Sequence, residues 1–219
     1  MSRKALIVWG GWDGHQPKQV GELFARVLKE DGFEVELSDT LDAFKDEAKL
    51  NALSLIVPVW TMGKISNEQA NPVFKAVREH GVGIAGCHGG MCDSFREQTE
   101  WQFMTGGQWV AHPGNDGTTY RVRTIKGSSP IVEGIQDFDV CSEQYYMHTD
   151  PGNRVLATTE FPVAAGPHSG NGRFDMPVVW TRVYGKGRVF YNSLGHQESI
   201  MAAEPCLTIQ RRGFLWAAK

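Results

Sequence analysis

Gly83-Ile84-Ala85-Gly86-Cys87-His88-Gly89-Gly90 is the stretch whose reading decides the fold. The run from Val82 to Cys87 is apolar or small throughout, as in a strand covered on both faces. A tight turn must follow, because glycines surround the Cys-His pair. Centred on His88 the pattern is Gly-x-His-x-Gly, with Gly86 and Gly90 two residues to either side. That is the outline of a nucleophile elbow, a strand-to-helix turn that lifts one side chain above the sheet edge. Small neighbours are required because a bulky residue would clash in so sharp a turn. A second register centres on Cys87, between Ala85 and Gly89, and offers a thiol in place of an imidazole. The two registers imply different chemistries.

Working outward, the preceding chain alternates strands and helices. Lys4–Trp9 reads as an apolar strand, followed by a loop through Trp12, Asp13 and His15. Pro17 opens a helix, where its missing N–H is harmless. Val20, Leu23, Phe24, Val27 and Leu28 keep helical spacing up to Asp31-Gly32. Phe33–Leu37 alternates apolar and acidic residues, as expected nearer a sheet edge. A short amphipathic helix is predicted over Leu41–Ala48. Leu53–Trp60 is a third strand, interrupted only by Pro58, and Ser66 with Glu68-Gln69 starts a helix that reaches His80-Gly81. This β-α-β-(α)-β-α-β order predicts a parallel sheet with helices on both faces.

The second half is less regular. Cys92–Thr105 is predicted helical, and Gly106–Pro113 is predicted to be a loop carrying Trp109 and His112. Strands are expected at Thr119–Thr124, Val155–Thr159, Val178–Val183 and Arg188–Ser193. Tyr184–Arg188 reads as a hairpin turn, so the last two strands should be antiparallel. A closing helix is expected over Ile200–Ala218, with Leu207, Ile209, Phe214, Leu215 and Trp216 inward. No repeat or linker interrupts the chain, and one domain spanning residues 1–219 is expected.

Composition narrows the partners. The 219 residues carry a formal charge of −3, which gives no electrostatic case for nucleic acid or an anionic membrane. No run reaches the roughly 18 apolar residues of a transmembrane helix, and the N-terminal apolar run is too short for a signal peptide. The four cysteines, at 87, 92, 141 and 206, show no metal or disulfide spacing, which points to a reduced cytoplasmic setting.

In an open parallel sheet, sites form beyond the carboxyl ends of the strands. Asp13 and His15 follow the first strand there, Trp60 and Thr61 the third, Cys87 and His88 the fourth, and His196 the last. His112 can reach over from its loop, and Glu143, in Ser-Glu-Gln-Tyr-Tyr-Met-His, adds a carboxylate, two phenols and His148. Of Tyr145 and Tyr146, adjacent in an extended segment, one should enter the core. His80 and His168 read as surface residues. His88 and His196 with Glu143 are the candidate acid–base groups. The same histidines, joined by His112 and Glu143, form a donor set suited to Zn, Mn or Fe. Asp13, His15, Trp60, Trp109, His112 and Tyr145 are candidate substrate contacts, and Trp12, Trp60, Trp109 and Tyr145 offer flat faces for sugar rings. Alternatively Cys87 is a nucleophile served by His196 and Glu143.

Four segments together resemble the ThuA-like trehalose-utilisation family: Ile84–Gly90, Gly106–Pro113, Ser142–Tyr146 and Val189–His196, with a similar Phe214-Leu215-Trp216-Ala217 ending. The resemblance covers nearly the whole chain. It implies a flavodoxin-like three-layer α/β/α sandwich, mostly parallel with an antiparallel C-terminal part, similar to class I glutamine amidotransferases. It also implies that the amidotransferase Cys-His-Glu triad is not kept, because the family turn carries the histidine and Cys87 occupies a position that is commonly aliphatic. Gln197 departs from the Asp often found after the final histidine. The implied role is a cytoplasmic enzyme acting on a keto-disaccharide or glycoside, an isomerase, lyase or hydrolase. The alternatives are a Cys87-dependent amidase and a non-catalytic sugar-binding protein. A small sugar is the expected partner, homo-oligomerisation is possible, and no nucleotide cofactor is expected.

Overall fold

The structure, a computed structural model, describes residues 3–219. Its first half follows the predicted alternation: β1 (Arg3–Gly11), α1 (Pro17–Glu30), β2 (Phe33–Ser38), α2 (Glu47–Asn51), β3 (Leu55–Thr61), α3 (Asn67–His80) and β4 (Gly83–Cys87). The expected helix over Leu41–Ala48 is instead a 3-10 turn, Leu41–Phe44, followed by α2. The start of α3 is a capping box, in which Ser66 and Gln69 satisfy each other's backbone N–H groups, and Gly81 ends it at φ 72°.

The second half holds α4 (Gly89–Cys92), α5 (Thr99–Thr105), β5 (Gly107–Ala111), β6 (Thr118–Thr124), β7 (Phe138–Ser142) and β8 (Tyr146–Thr149). It closes with β9 (Arg154–Phe161), β10 (Phe174–Tyr184), β11 (Gly187–Asn192), α6 (Glu198–Ala202) and α7 (Cys206–Ala217). Strands β2-β1-β3-β4-β11-β10-β9-β6-β7 form one nine-stranded sheet. The ladders from β2 through β11 are parallel, and those from β11 through β7 are antiparallel. β2 is an edge strand, as its alternating acidic residues require. Following the directions across the sheet, β7 points the same way as β1, β3, β4 and β11. Their carboxyl ends therefore share one side.

Three expectations fail in this half. The helix predicted over Cys92–Thr105 is realised only as α5, from Thr99 on; residues 93–98 are non-helical and separate it from α4. There the chain pairs with the end of β3 instead: Met62 N–H donates to Asp93 O at 2.8 Å and Phe95 N–H to Met62 O at 3.2 Å. The Gly106–Pro113 loop contains β5, which pairs with β8 in a separate two-stranded sheet. The closing helix breaks at residues 203–205 into α6 and α7, and Leu215 faces solvent, while Leu207 and Trp216 are only partly buried.

Strand alternation divides the core between two faces. Ala5, Ile7, Leu55, Val57, Val59, Ala85, Cys87 and Phe190 pack under α1 and α7. Leu6, Val8, Ile56, Ile84, Val189 and Tyr191 pack under α2 to α5. That is a three-layer sandwich. Among the described residues, no helix is long and apolar enough to cross a membrane.

Cys87 belongs to the first face. Its sulfur is turned into the core near Cys206, and burial pushes its thiol up to about 12. The cysteine register of the turn is thereby overturned: the nucleophile would be buried and protonated. Iodoacetamide at pH 8 should therefore alkylate exposed Cys141 in the folded protein and spare buried Cys87, Cys92 and Cys206, with all four reacting after denaturation. Peptide mass spectrometry reads this directly. Packing of α7 gives a second expectation. A Cβ at Gly213 would sit 2.2–2.4 Å from carbons of the fully buried Phe190 ring. Gly213→Ala should destabilise the protein by about 1–3 kcal/mol despite its better helix propensity, read as a fall in Tm.

Candidate active site

The turn after β4 is built around His88, which takes φ 48° and ψ −137°. A non-glycine residue in this region carries strain of order 1–3 kcal/mol and persists only where its surroundings hold it. They do so from β11: His88 N–H donates to Asn192 O at 2.7 Å, and Tyr191 Oη–H donates to His88 O at 2.9 Å. The flanking glycines admit close neighbours. A Cβ at Gly90 would lie 3.0 Å from Val59 Cα, and one at Gly89 would lie 2.7 Å from the His15 ring and 2.8 Å from Thr61 Oγ1.

Four buried residues converge beyond the strand ends: His15 after β1, His88 after β4, Glu143 after β7 and His196 after β11. Their donor atoms all lie within 4.8 Å of one another. Glu143 Oε2 is the common point, 3.1 Å from His88 Nε2, 3.2 Å from His196 Nδ1 and 3.7 Å from His15 Nε2. The outer ring nitrogens are engaged elsewhere. His88 Nδ1 lies 2.8 Å from Ser193 O, and His15 Nδ1 lies 2.7 Å from Thr61 Oγ1. His196 Nδ1 is buried without an aligned hydrogen-bond partner, and its Nε2 faces Asp116 at 3.8 Å.

Burial opposes charge on Glu143, but the three imidazoles around it outweigh that cost and hold its carboxyl far below the usual range. Burial likewise lowers His88 to about 4, against the pull of Glu143. Glu143 raises the pKa of His196.

Glu143 is brought over the strand ends by its neighbours. Tyr120 Oη–H donates to Glu143 O at 3.1 Å, and Gln144 Nε2 donates to Thr159 Oγ1 at 2.8 Å and to Glu160 O at 3.0 Å. Tyr145 then stacks on His88, with ring centroids 3.9 Å apart and planes 23° apart. Tyr145 is the more buried of the two adjacent tyrosines.

A cavity of about 180 Å³ opens onto this cluster. Of the cluster, His15 and Glu143 line it, with His88 and His196 behind them, and Tyr145, His112, Trp109, Asp93 and Arg96 complete its walls beside Trp12 and Met62. His112 is 29% exposed and faces the other carboxylate oxygen, with Nε2 3.6 Å from Glu143 Oε1. His112 is therefore outside the four-residue donor set, and His15, expected only as a substrate contact, takes its place. Asp13 is exposed in a 3-10 turn and does not line the cavity, nor does Trp60, whose ring packs over Gly10 and Gly63. His148 is exposed on β8. Sequence reasoning missed Asp93 and Arg96. The only signal for them was their position just beyond the Gly-rich turn.

The protein-family model for ThuA, described as trehalose utilisation, matches residues 4–217. Comparison with curated proteins finds no match. Among solved structures, a protein described as ThuA-like from Bacteroides uniformis ATCC 8492 superposes with a TM-score of 0.77 at 17% identity, covering 98% of this chain and 91% of that one. Another from Parabacteroides merdae ATCC 43184 gives 0.75 at 19% identity, covering 100% and 91%. A glutamine amidotransferase from Thermotoga maritima gives 0.55 at 13% identity, covering 88% and 75%. At these identities the structural likeness speaks for the fold: a flavodoxin-like sandwich shared with amidotransferases. The family match over nearly the whole length carries more, and with it the chain belongs to the ThuA family of trehalose utilisation.

Proposed function

We propose that this protein is an enzyme of sugar utilisation acting on a keto-disaccharide or glycoside, and that His15, His88, His196 and Glu143 hold a divalent cation at the inner end of its cavity. The family match supports the sugar role, and the observation that carries the cation assignment is the proton balance of His88. Its Nδ1 faces a carbonyl, which can only accept, so Nδ1 must carry the proton. In the neutral ring, Nε2 then turns a lone pair toward the Glu143 carboxylate at 3.1 Å. Two acceptors face each other there. A second proton would resolve the conflict, but burial disfavours the imidazolium. A cation between them resolves it, and the His15 and His196 nitrogens that face the same carboxylate oxygen complete its donor set.

The spacing supports the same reading. Donors of a tetrahedral zinc site with bonds near 2.0–2.1 Å lie about 3.3 Å apart. The separations from Glu143 Oε2, 3.1, 3.2 and 3.7 Å, bracket that value. Hydrogen bonds from the far nitrogens of His88 and His15 orient the rings, as the outer partners of ligating histidines do. Zn, Mn and Fe all suit imidazole with one carboxylate. When bound, such an ion supplies Lewis-acid polarisation of a ketone oxygen or a water of lowered pKa.

The remaining chemistry falls to the chain itself. His112 is the imidazole with solvent access at the cavity, and it is placed to take and return a proton beside a polarised carbonyl. Trp12 and Trp109 offer apolar faces to a sugar ring. The cavity of about 180 Å³ would take one sugar ring, with Trp12, an exposed lining residue, beside it.

Metal analysis of protein purified without chelator or chelating tag should find about one equivalent of a divalent metal per chain. His15→Ala, His88→Ala and His196→Ala should lose it. His112→Ala should keep the metal and lose turnover of keto-glycosides. A protein that takes up no Zn, Mn or Fe(II) overturns the metal assignment and leaves acid–base chemistry by the His/Glu set. A loaded protein that binds sugars without converting them points to the non-catalytic alternative. Gly89→Ala should weaken metal binding about 10–100-fold, because its Cβ displaces the His15 ring. Affinity should also fall on acidification. The ligands must be unprotonated, and Glu143 raises His196 above its ordinary 6.5, so the proton competes from above that pH and wins as pH drops through it.

A further inference from the structure

Two residues that line the cavity, Asp93 and Arg96, take no part in the chemistry proposed above. Asp93 is 3% exposed, with both carboxylate oxygens taken by one guanidinium. Arg96 Nε donates to Asp93 Oδ1 at 2.6 Å and Nη2 donates to Oδ2 at 3.0 Å. The Arg96 Cζ lies 4.6 Å over the Trp109 ring. The pair is carried by residues 93–98, which are pinned to the end of β3 through Met62 and through Ser94 Oγ–H donating to Trp60 O at 2.5 Å. Arg96 is thus fixed on two sides, by a planar fork and by a ring face. Both Asp93 and Arg96 line the same cavity as Glu143 and His15.

We propose that the Asp93–Arg96 pair stacked on Trp109 is the specificity-determining end of the cavity, donating hydrogen bonds to the hydroxyls of one neutral sugar ring whose reactive carbon lies at the His/Glu cluster. This rests on the sugar reading above. Arginine has five N–H donors, and the fork to Asp93 uses two, so three remain for a ligand. Its charge is already matched by a buried carboxylate, so an uncompensated anion is not what it is built to hold. Hydroxyl oxygens, which accept without bringing charge, fit both conditions. Trp109 supplies the apolar face that a pyranose ring presents between its hydroxyls. Asp93 does not touch the ligand in this arrangement; it is a positioning residue that fixes the fork.

The test is calorimetric binding of D-glucose, methyl α-D-glucopyranoside and D-glucuronate to the metal-loaded protein and to Arg96→Gln, Arg96→Lys and Asp93→Asn. Circular dichroism and the Co(II) absorption spectrum of each variant report the fold and the cluster independently. Arg96→Gln should weaken the neutral sugars about tenfold or more while leaving the Co(II) spectrum unchanged. Arg96→Lys should not rescue them, because a point charge lacks the fork. Asp93→Asn should weaken them too, and should shift preference toward glucuronate because Arg96 is then uncompensated. Neutral-sugar affinity unchanged in Arg96→Gln, or restored in Arg96→Lys, overturns the proposal while the sugar reading stands. Wild-type preference for glucuronate that depends on Arg96 makes it an anion anchor and also overturns it. Wild-type protein that binds none of the three sugars overturns this proposal, and if it also fails to turn over keto-glycosides the sugar reading falls with it.

Discussion

One oxygen atom, Glu143 Oε2, sets the terms for much of this molecule. It is a carboxylate oxygen in a buried site with three imidazole nitrogens within 3.7 Å. A buried charge is costly unless it is compensated by neighbours of opposite or complementary polarity. Here the three neighbours come from three different strand ends and the carboxylate from a fourth, so no local segment can satisfy it alone. The sheet must bring β1, β4, β7 and β11 to the same side before the group can be buried at all. Gly89, which leaves room for His15, and Thr61 and Ser193, which hold the ring orientations, follow from that requirement.

The turn at His88 shows how a shared fold changes its chemistry. Adjacent residues on a strand face opposite ways, so at the end of β4 only one of Cys87 and His88 can face the cavity side. The structure gives that direction to His88, at a strained φ of 48°, and sends Cys87 into the core beneath α7. A sandwich like that of amidotransferases here presents an imidazole at the turn and keeps the neighbouring thiol in the core, and the fold alone does not carry the chemistry. Two bonds from β11 to the His88 backbone hold the strained conformation in place.

A row of rings runs from the buried cluster to Arg96. His88 stacks on Tyr145 at 3.9 Å, Tyr145 lies 25° from parallel with His112 at 6.4 Å, His112 lies 5.4 Å from Trp109, and Arg96 covers Trp109 at 4.6 Å. The small β5–β8 sheet supports it, since β5 carries Trp109 and β8 follows directly on Tyr145. That sheet was not legible beforehand. Strand β5 begins with glycine and bonds only to β8, across a register shift between Trp109 and Ala111, so it has neither an apolar run nor clean alternation. The break between α4 and α5 was hidden for a related reason. Residues 93–98 leave the helix because they pair with Met62, a contact distant in sequence.

The sequence by itself determined the alternating first half, the antiparallel hairpin of β10 and β11, and the residue types at the strand ends. These follow from local periodicity, from glycine and proline placement, and from the rule that parallel strands open their sites at one end. The family could be read as well, because its motifs are short runs in a set order. Tertiary structure alone decided which of those residues meet. It put His15 rather than His112 in the donor set around Glu143 Oε2, turned His112 to the other carboxylate oxygen, left Asp13 and Trp60 outside the cavity, and brought in Asp93 and Arg96. The reason is physical: a donor set within 4.8 Å is assembled from positions as far apart as His15 and His196, and no spacing along the chain encodes the curvature and register that close that distance.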